Sequence, residues 1–78
     1  MRFILNGKAY EKNREDVERD MAGVQPEVPR RYYVVVNGKK YPPKQVLAKV
    51  LNLGRIEFTT MAAGNILLRL GFKLQRTE

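Results

Sequence analysis

Two short hydrophobic runs, each followed by the same polar turn, lie 31 positions apart in the chain. The first is Phe3–Leu5 and the second is Val34–Val36, and both lead into Asn-Gly-Lys-x-Tyr. Asparagine followed by glycine accepts the two positive φ angles that a two-residue type I′ hairpin turn requires. The pattern therefore predicts two β-hairpins. In the second, the predicted cross-strand pairs are Val36 with Lys39, Val35 with Lys40, and Val34 with Tyr41.

The first helical segment follows the first hairpin and is rich in acidic residues. Asn13 has the short polar side chain that caps a helix N-terminus, with Asp16 three residues further on. The apolar residues Val17 and Met21 share one helical face, and Gly23 suits the position just beyond a helix end. We therefore predict a surface helix here, followed by an extended connector whose prolines exclude a helix.

Two further helices are predicted after the second hairpin. A pair of prolines suits the first turn of one helix, and its apolar spacing continues as far as Gly54, which is expected to end it. The other helix is predicted to start at Thr59 or Thr60 and to end at Gly71. The segment Phe72–Leu74 is expected to form a short last strand. Together these elements predict an α+β fold, in which the last two helices loosely resemble a helix-turn-helix.

The chain of 78 residues is expected to form a single domain spanning residues 1–78, because so short a chain has only a small core. Residues 1–27 would supply a hairpin and an acidic helix. Residues 28–78 would supply the basic hairpin, two helices and the short strand. The apolar run before the first turn is too short for a signal peptide or a membrane span. With no cysteine present, a cytoplasmic protein is expected.

The composition excludes several kinds of catalytic centre. The chain contains no histidine, cysteine or serine, which removes the usual general base at neutral pH, thiolate metal sites and serine-based triads. No two carboxylates are paired in the apolar context that suits acid–base catalysis. We therefore expect a protein without enzymatic activity, bound metal or cofactor.

The net charge of +7 is distributed unevenly along the chain. Residues 1–27 hold five basic and six acidic residues, whereas residues 28–78 hold ten basic and two acidic ones. A basic patch confined to one part of a small domain is typical of proteins that bind a polyanion, most often nucleic acid. The same composition also suits a solvated basic surface that keeps a protein soluble.

Basic and aromatic residues are most densely interleaved around the second hairpin. Lysine and arginine contact phosphates, and tyrosine stacks on bases. Alternatively, the tyrosines belong to the core and the lysines protect an exposed strand edge. In the last helix, small residues before Asn65 suit either close approach to a DNA groove, with Asn65 reading adenine, or close packing. The candidate binding residues are Arg30, Arg31, Lys39, Lys40, Lys44, Lys49, Arg55 and Asn65.

The segment from Tyr33 to Phe72 carries a more specific string. It contains Asn-Gly-Lys-x-Tyr-Pro-Pro-Lys, then Phe58 with Thr59, and a helix that ends in Leu-x-x-Leu-Gly-Phe. This string resembles the small N-terminal head domain of McrA-type, modification-dependent HNH restriction endonucleases and related short free-standing bacterial proteins. The resemblance covers about half the chain and implies an accessory module of DNA-handling proteins. Thr60 stands where many relatives have glycine, so the loop before the last helix is expected to differ.

The sequence therefore predicts non-catalytic binding of nucleic acid, with double-stranded DNA favoured over RNA and phosphates as the main contacts. The alternative is a protein-interaction module that docks on an acidic partner, such as a nuclease subunit. Steep salt dependence of binding would favour the first hypothesis, and a complex that persists in high salt would favour the second. Oligomeric state is left open.

Overall fold

The structure is a computed structural model that describes residues 1–77, apart from the side chain of Ile56. Glu78, the last residue of the predicted domain, lies outside the described residues. The predicted α+β class, with two hairpins and three helices, is confirmed. The strands are β1 (Arg2–Leu5), β2 (Lys8–Glu11), β3 (Tyr32–Val36), β4 (Lys39–Tyr41) and β5 (Gln75–Arg76). The helices are α1 (Arg14–Met21), α2 (Pro43–Leu51) and α3 (Thr60–Arg69), with a 3-10 turn at Arg55–Glu57.

Both hairpins turn at their Asn-Gly pairs, as predicted. Asn6 and Asn37 have φ angles of 54° and 53°, and the glycine after each has a φ of 78°, which is type I′ geometry. The hairpins belong to two sheets, one of order β1–β2 and one of order β4–β3–β5. All three cross-strand pairs predicted between β3 and β4 are present.

The two turn asparagines also connect each hairpin tip to another element. Asn37 Nδ2 donates a hydrogen bond to the carbonyl of Glu18 in α1 at 2.9 Å. Asn6 Nδ2 donates to the carbonyl of Glu57 in the 3-10 turn. Asparagine at this position thus combines tolerance of positive φ with an amide that fixes the hairpin tip. This double use gives a physical reason for the same turn to occur twice.

The cap predicted for α1 is confirmed. Asn13 Oδ1 accepts a hydrogen bond from the Asp16 amide at 3.0 Å, and Asp16 Oδ2 accepts one from the Asn13 amide at 2.9 Å. This reciprocal capping box satisfies two backbone donors at the start of the helix. Val17 and Met21 are fully buried, and Gly23 follows the helix with a φ of 79°.

The predicted end of α2 at Gly54 is wrong. The helix ends at Asn52, which adopts the left-handed conformation with φ 56° and ψ 49°, and the Leu53 amide donates to the carbonyl of Ala48 at 3.0 Å. Asparagine tolerates this conformation better than most residues other than glycine. Gly54 instead precedes the 3-10 turn, where its amide donates to the Glu57 carboxylate at 2.7 Å.

The predicted position of the last strand is also wrong. The strand lies at Gln75–Arg76 and pairs antiparallel with the first two residues of β3. Phe72 is a buried core residue, and Leu74 packs against α3 at Gly64. A Cβ atom on Gly64 would lie 2.7 Å from Leu74 Cδ2. The glycine in α3 therefore serves close packing of the chain after the helix, which is one of the two interpretations of the small residues there.

The core lies among the helices and the inner faces of both sheets, since β1 also contributes buried residues. Helix α2 contacts α1, α3 and β3, so it occupies the centre of the domain. The buried apolar residues are Phe3, Leu5, Val17, Met21, Val34, Val36, Tyr41, Val46, Leu47, Val50, Leu51, Phe58, Ala63, Ile66, Leu67, Leu70 and Phe72. Across residues 1–77, the helices are too short and too polar for any of them to cross a bilayer.

Helices α2 and α3 pack against each other, but the segment that joins them is long. Residues 52–59 connect the two helices and include the 3-10 turn. In a helix-turn-helix the two helices are joined by about three to four residues. The connection therefore gives no support to a helix-turn-helix, and that part of the prediction stays unconfirmed.

Candidate nucleic-acid interface

A groove of about 620 Å³ lies beside the N-terminus of α2. Its walls come from the connector before β3, the start of β3, the first turn of α2, the 3-10 turn and the first turn of α3. The lining residues are Glu27, Val28, Arg30, Arg31, Tyr32, Pro42, Pro43, Lys44, Arg55, Thr60 and Met61. Four of the eight predicted binding residues, from three separate segments, therefore meet at one concave surface.

The connector that forms one wall is held in place by side chains from β4 and α2. Tyr41 is fully buried, and its hydroxyl donates a hydrogen bond to the carbonyl of Val24 at 2.7 Å. Gln45 is also buried; its Nε2 donates to the carbonyl of Gln25 at 2.8 Å, and its Oε1 accepts from the Glu27 amide at 2.9 Å. Buried polar groups are nearly always hydrogen-bonded, and Tyr41 and Gln45 meet this requirement by bonding to the connector. The three bonds thereby hold an otherwise irregular segment in place.

The Tyr-Pro-Pro-Lys-Gln string therefore has a structural explanation. Pro42 has the extended conformation of an N-cap residue, and Pro43 takes the first position of α2, where its missing N–H costs nothing. The string places Tyr41 and Gln45 against the connector and leaves Lys44, between them, at the groove. Lys44, a predicted nucleic-acid-binding residue, therefore lines the groove, and its contact with nucleic acid stays a prediction. Gln45 was missed by the sequence reasoning, because nothing in helical spacing marks a polar residue as buried.

The chain after α3 fixes the backbone of the two arginines. The Thr77 amide donates to the carbonyl of Arg31 at 2.8 Å, and Thr77 Oγ1 donates to the carbonyl of Arg30 at 2.7 Å. Strand β5 continues this contact, since Arg76 pairs with Tyr32. Both arginine side chains remain exposed. The backbone of both arginines is thus bonded to Thr77, while their side chains lie exposed at the groove. An isolated threonine gives no sequence signal of this role.

The charges in the groove are not equivalent. Arg55 forms a two-pronged ion pair with the Glu27 carboxylate. The hydrogen bond from Arg55 lowers the pKa of Glu27, and the same bond raises the pKa of Arg55. Each side chain is about half exposed, so the pair adds at most about 1 kcal/mol to stability. Its main effect on the site is to neutralise Glu27, the one carboxylate that lines the groove within residues 1–77.

Three cations in the groove have no such partner. Arg30, Arg31 and Lys44, which we term the groove cations, form no ion pair with any carboxylate within the part of the chain that the structure describes. Positive charges gathered in a concavity with low-dielectric walls raise the local potential for anions. The groove cations therefore suit an anionic ligand.

Apolar side chains share the groove with these charges. Val28 is 84% exposed and Met61 is 53% exposed, although both are large hydrophobic residues. Tyr32, half-buried at the start of β3, lies in the same lining. We term Val28, Tyr32 and Met61 the apolar lining. The groove thus combines an anion-binding set with a surface that is suited to a flat or hydrophobic group.

One family model matches the whole chain, including every residue that lines the groove. A family model described as SCO5918-like matches residues 1–78. The chain belongs to the SCO5918-like family. Comparisons with curated proteins and with solved structures gave no match. The SCO5918-like match does not connect the chain to McrA-type endonucleases, so the resemblance to their head domain stays a prediction.

The hairpin lysines do not line the groove. Lys39 and Lys40 are exposed in β4, and Lys40 Nζ lies 4.9 Å from the centroid of the Tyr33 ring. Arg31 precedes β3, whereas Lys39 pairs with the last residue of that strand. Because five extended residues span about 17 Å, Lys39 lies far from Arg31 along the strand. Pro42, which lines the groove, nevertheless follows Lys40 by only two positions, so the hairpin lysines lie next to the wall that the start of α2 provides.

The remaining two predicted residues also lie outside the groove of the SCO5918-like protein. Lys49 lines a second depression together with Asp20 and Arg55, so its surroundings include an acidic residue. Asn65 is exposed on α3 and belongs to neither concave surface. In residues 1–77, no cluster of three or more histidine, cysteine or acidic side chains is arranged to hold a metal ion.

Proposed function

We propose that the SCO5918-like protein is a non-catalytic module that binds DNA, chiefly through its phosphates, with the groove beside α2 as the main contact surface. The observation that supports this most strongly is the convergence of the groove cations. Arg30 and Arg31 come from the connector and Lys44 comes from α2, so only the folded chain brings them together. Arginine and lysine side chains are the standard phosphate contacts of DNA-binding proteins.

The distribution of ion pairs supports the same proposal. In α1 the basic residues pair with neighbouring acids: Arg14 contacts Glu18 at 3.3 Å, and Arg19 contacts Asp16 at 2.9 Å. The charges of the N-terminal segment therefore largely cancel each other on the surface. A polyanion would be attracted mainly to the face that carries the groove, because the groove cations form no ion pair within residues 1–77.

The hairpin tip would provide a second, weaker contact in this proposal. Lys39 and Lys40 are exposed, and a duplex that lies across the groove would reach them, because they lie within three positions of the lining residue Pro42. Contacts of this kind with fully exposed lysines are strongly screened by salt. We therefore expect the paired variant Lys39→Gln/Lys40→Gln to weaken binding less than variants of the groove cations do.

Salt-dependent binding to duplex DNA tests the proposal. The protein would be titrated into a fluorescently labelled 20-base-pair duplex at several NaCl concentrations, with anisotropy as the readout. Three phosphate contacts predict that log K falls with log salt at a slope of about −2.7, or about a 40-fold loss of affinity from 50 to 200 mM salt. Absence of binding at 50 mM salt would contradict the proposal.

A second function is favoured by one observation. Val28 and Met61 expose apolar surface in the groove, and exposed apolar surface with a polar rim is also typical of protein-docking sites. An acidic protein segment would then take the place of DNA, as the alternative hypothesis from the sequence states. A complex with a protein partner that persists in 1 M NaCl, together with no binding of DNA, would favour this second function.

A further inference from the structure

We infer that the groove accepts one unpaired nucleotide of the bound DNA, with its phosphate on the groove cations and its base against the apolar lining. This inference rests on the proposed DNA-binding function and specifies its substrate: DNA that contains an unpaired base, at a bulge or an overhang. A fully paired duplex would bind through phosphates alone.

The apolar lining carries the inference. Phosphate contacts would occupy the groove cations but would leave Val28 and Met61 in water, although their exposed fractions are 84% and 53%. In a duplex the bases are stacked and paired, so none of them can reach a surface beside the backbone. An unpaired base can leave the stack and cover apolar and aromatic side chains with its flat face.

The dimensions of the groove fit a single nucleotide. Its volume of about 620 Å³ falls within the range of about 300–1,000 Å³ that is typical of small-ligand sites. The aromatic member of the lining is Tyr32, whose backbone is fixed by pairing in the sheet. A platform that is already rigid loses little entropy when a base stacks on it.

The charge arrangement fits a phosphate next to that base. Glu27, whose carboxylate lines the groove, is neutralised by Arg55, so this carboxylate would not oppose a phosphate there. The connector that carries Val28 is fixed by hydrogen bonds from Tyr41 and Gln45. Hydrogen bonds therefore hold the connector backbone, which carries Val28, Arg30 and Arg31, along one wall of the groove.

Three labelled duplexes separate base recognition from phosphate recognition. The first is a fully paired 20-mer, the second contains one unpaired deoxyadenosine, and the third contains one unpaired abasic nucleotide at the same place. The second and third have the same charge and the same interruption of the helix, so they differ only in the base. We expect the deoxyadenosine bulge to bind at least about fivefold more tightly than the abasic bulge. This is the smallest gain in affinity that stacking of one base on an aromatic side chain usually gives.

Matched variants locate the base. The pair Val28→Ser/Met61→Gln keeps the charge and alters exposed side chains of the apolar lining. The control pair, Ile4→Ser/Leu68→Gln, alters exposed apolar residues outside the groove. We expect the first pair to lose the preference for the base and to retain binding to the paired duplex, whereas the control pair keeps both.

The outcomes distinguish the two proposals. Equal affinity for the deoxyadenosine and abasic bulges would overturn the inference and leave the proposed function intact. A preference for the base that survives in Val28→Ser/Met61→Gln would also overturn it, because the base would then bind elsewhere. Failure to bind any of the three duplexes would refute the proposed function itself, and the inference with it.

Discussion

The groove can be disturbed without altering any residue that lines it by removing the amide of Gln45. The substitution Gln45→Met keeps the length and most of the volume of this buried side chain but abolishes both of its hydrogen bonds to the connector. The carbonyl of Gln25 and the amide of Glu27 then lose their partners. At about 1 kcal/mol for each neutral hydrogen bond, we expect a destabilisation of about 2 kcal/mol.

Urea denaturation at 25 °C, followed by circular dichroism, measures this loss, and an unchanged slope m would show that the native fold is retained. In a domain of this size, about 2 kcal/mol corresponds to a fall in melting temperature of about 8–16 °C. The matched control is Gln25→Met, which makes the same chemical change on an exposed side chain of the connector. It should stay within about 0.5 kcal/mol of the wild type.

Hydrogen exchange of a single amide adds a local readout. The Glu27 amide is bonded to Gln45 Oε1 at 2.9 Å, so its exchange should accelerate in Gln45→Met and not in Gln25→Met. DNA binding should also weaken, because the connector carries two groove cations and would no longer be rigid. If Gln45→Met is as stable as the wild type and the Glu27 amide exchanges at its original rate, Gln45 does not hold the connector.

Three further predictions concern the ion pair and the packing of α3. Glu27→Gln should free Arg55 for DNA, tighten binding at low salt and steepen the slope of log K against log salt by about 0.9; weaker binding would contradict this role of the pair. Because Arg55 lowers the pKa of Glu27 from its ordinary value of 4.5, the contribution of the pair to stability is present above that value. This contribution is lost as the pH falls through the lower pKa that Glu27 has in the folded state. Urea denaturation should therefore show that the free energy of unfolding falls more steeply from pH 6 to pH 3 in the wild type than in Glu27→Gln. Gly64→Ala improves helix propensity by about 1 kcal/mol but places a Cβ 2.7 Å from Leu74 Cδ2. Its effect on the free energy of unfolding should therefore be more favourable in a Leu74→Ala background than in the wild type. An equal effect in both backgrounds would refute this packing.

The elements whose signals are local were predicted correctly from the sequence. The Asn-Gly turns fix the register of β3 and β4 because the turn type determines which residues face each other. The cap of α1 at Asn13 also depends only on residues within one turn. The end of α2 was misplaced because Asn52 and Gly54 both tolerate the left-handed conformation, and apolar spacing alone does not choose between them.

Features that depend on contacts between distant segments could not be predicted in this way. Strand β5 forms where Gln75 and Arg76 reach β3, whereas Phe72 is needed in the core. Thr77 bonds to the connector across 46 and 47 positions of sequence. Neither contact leaves a periodic pattern, since a two-residue strand is too short to show alternation.

The candidate site also combines features that the sequence indicates with features that only the fold determines. Uneven charge directed attention to the C-terminal part of the chain, which contains all three groove cations. Composition treats every cation as equivalent, so it grouped Lys39 and Lys40, which do not line the groove, with the cations that do. It also missed the neutralisation of Arg55 by Glu27. Only the packed connector determines which charges converge and which are already paired.

The central claim is that DNA phosphates bind at the groove cations, and the salt dependence of binding in a triple variant tests it most directly. The variant Arg30→Gln/Arg31→Gln/Lys44→Gln is compared with Arg2→Gln/Lys8→Gln/Lys12→Gln, which removes the same charge from residues that do not line the groove. We predict that the groove variant reduces the slope of log K against log salt by about 2.7, whereas the control keeps the wild-type slope. Equal reductions in both variants would contradict the claim, because binding would then follow the net charge of the protein and not the groove.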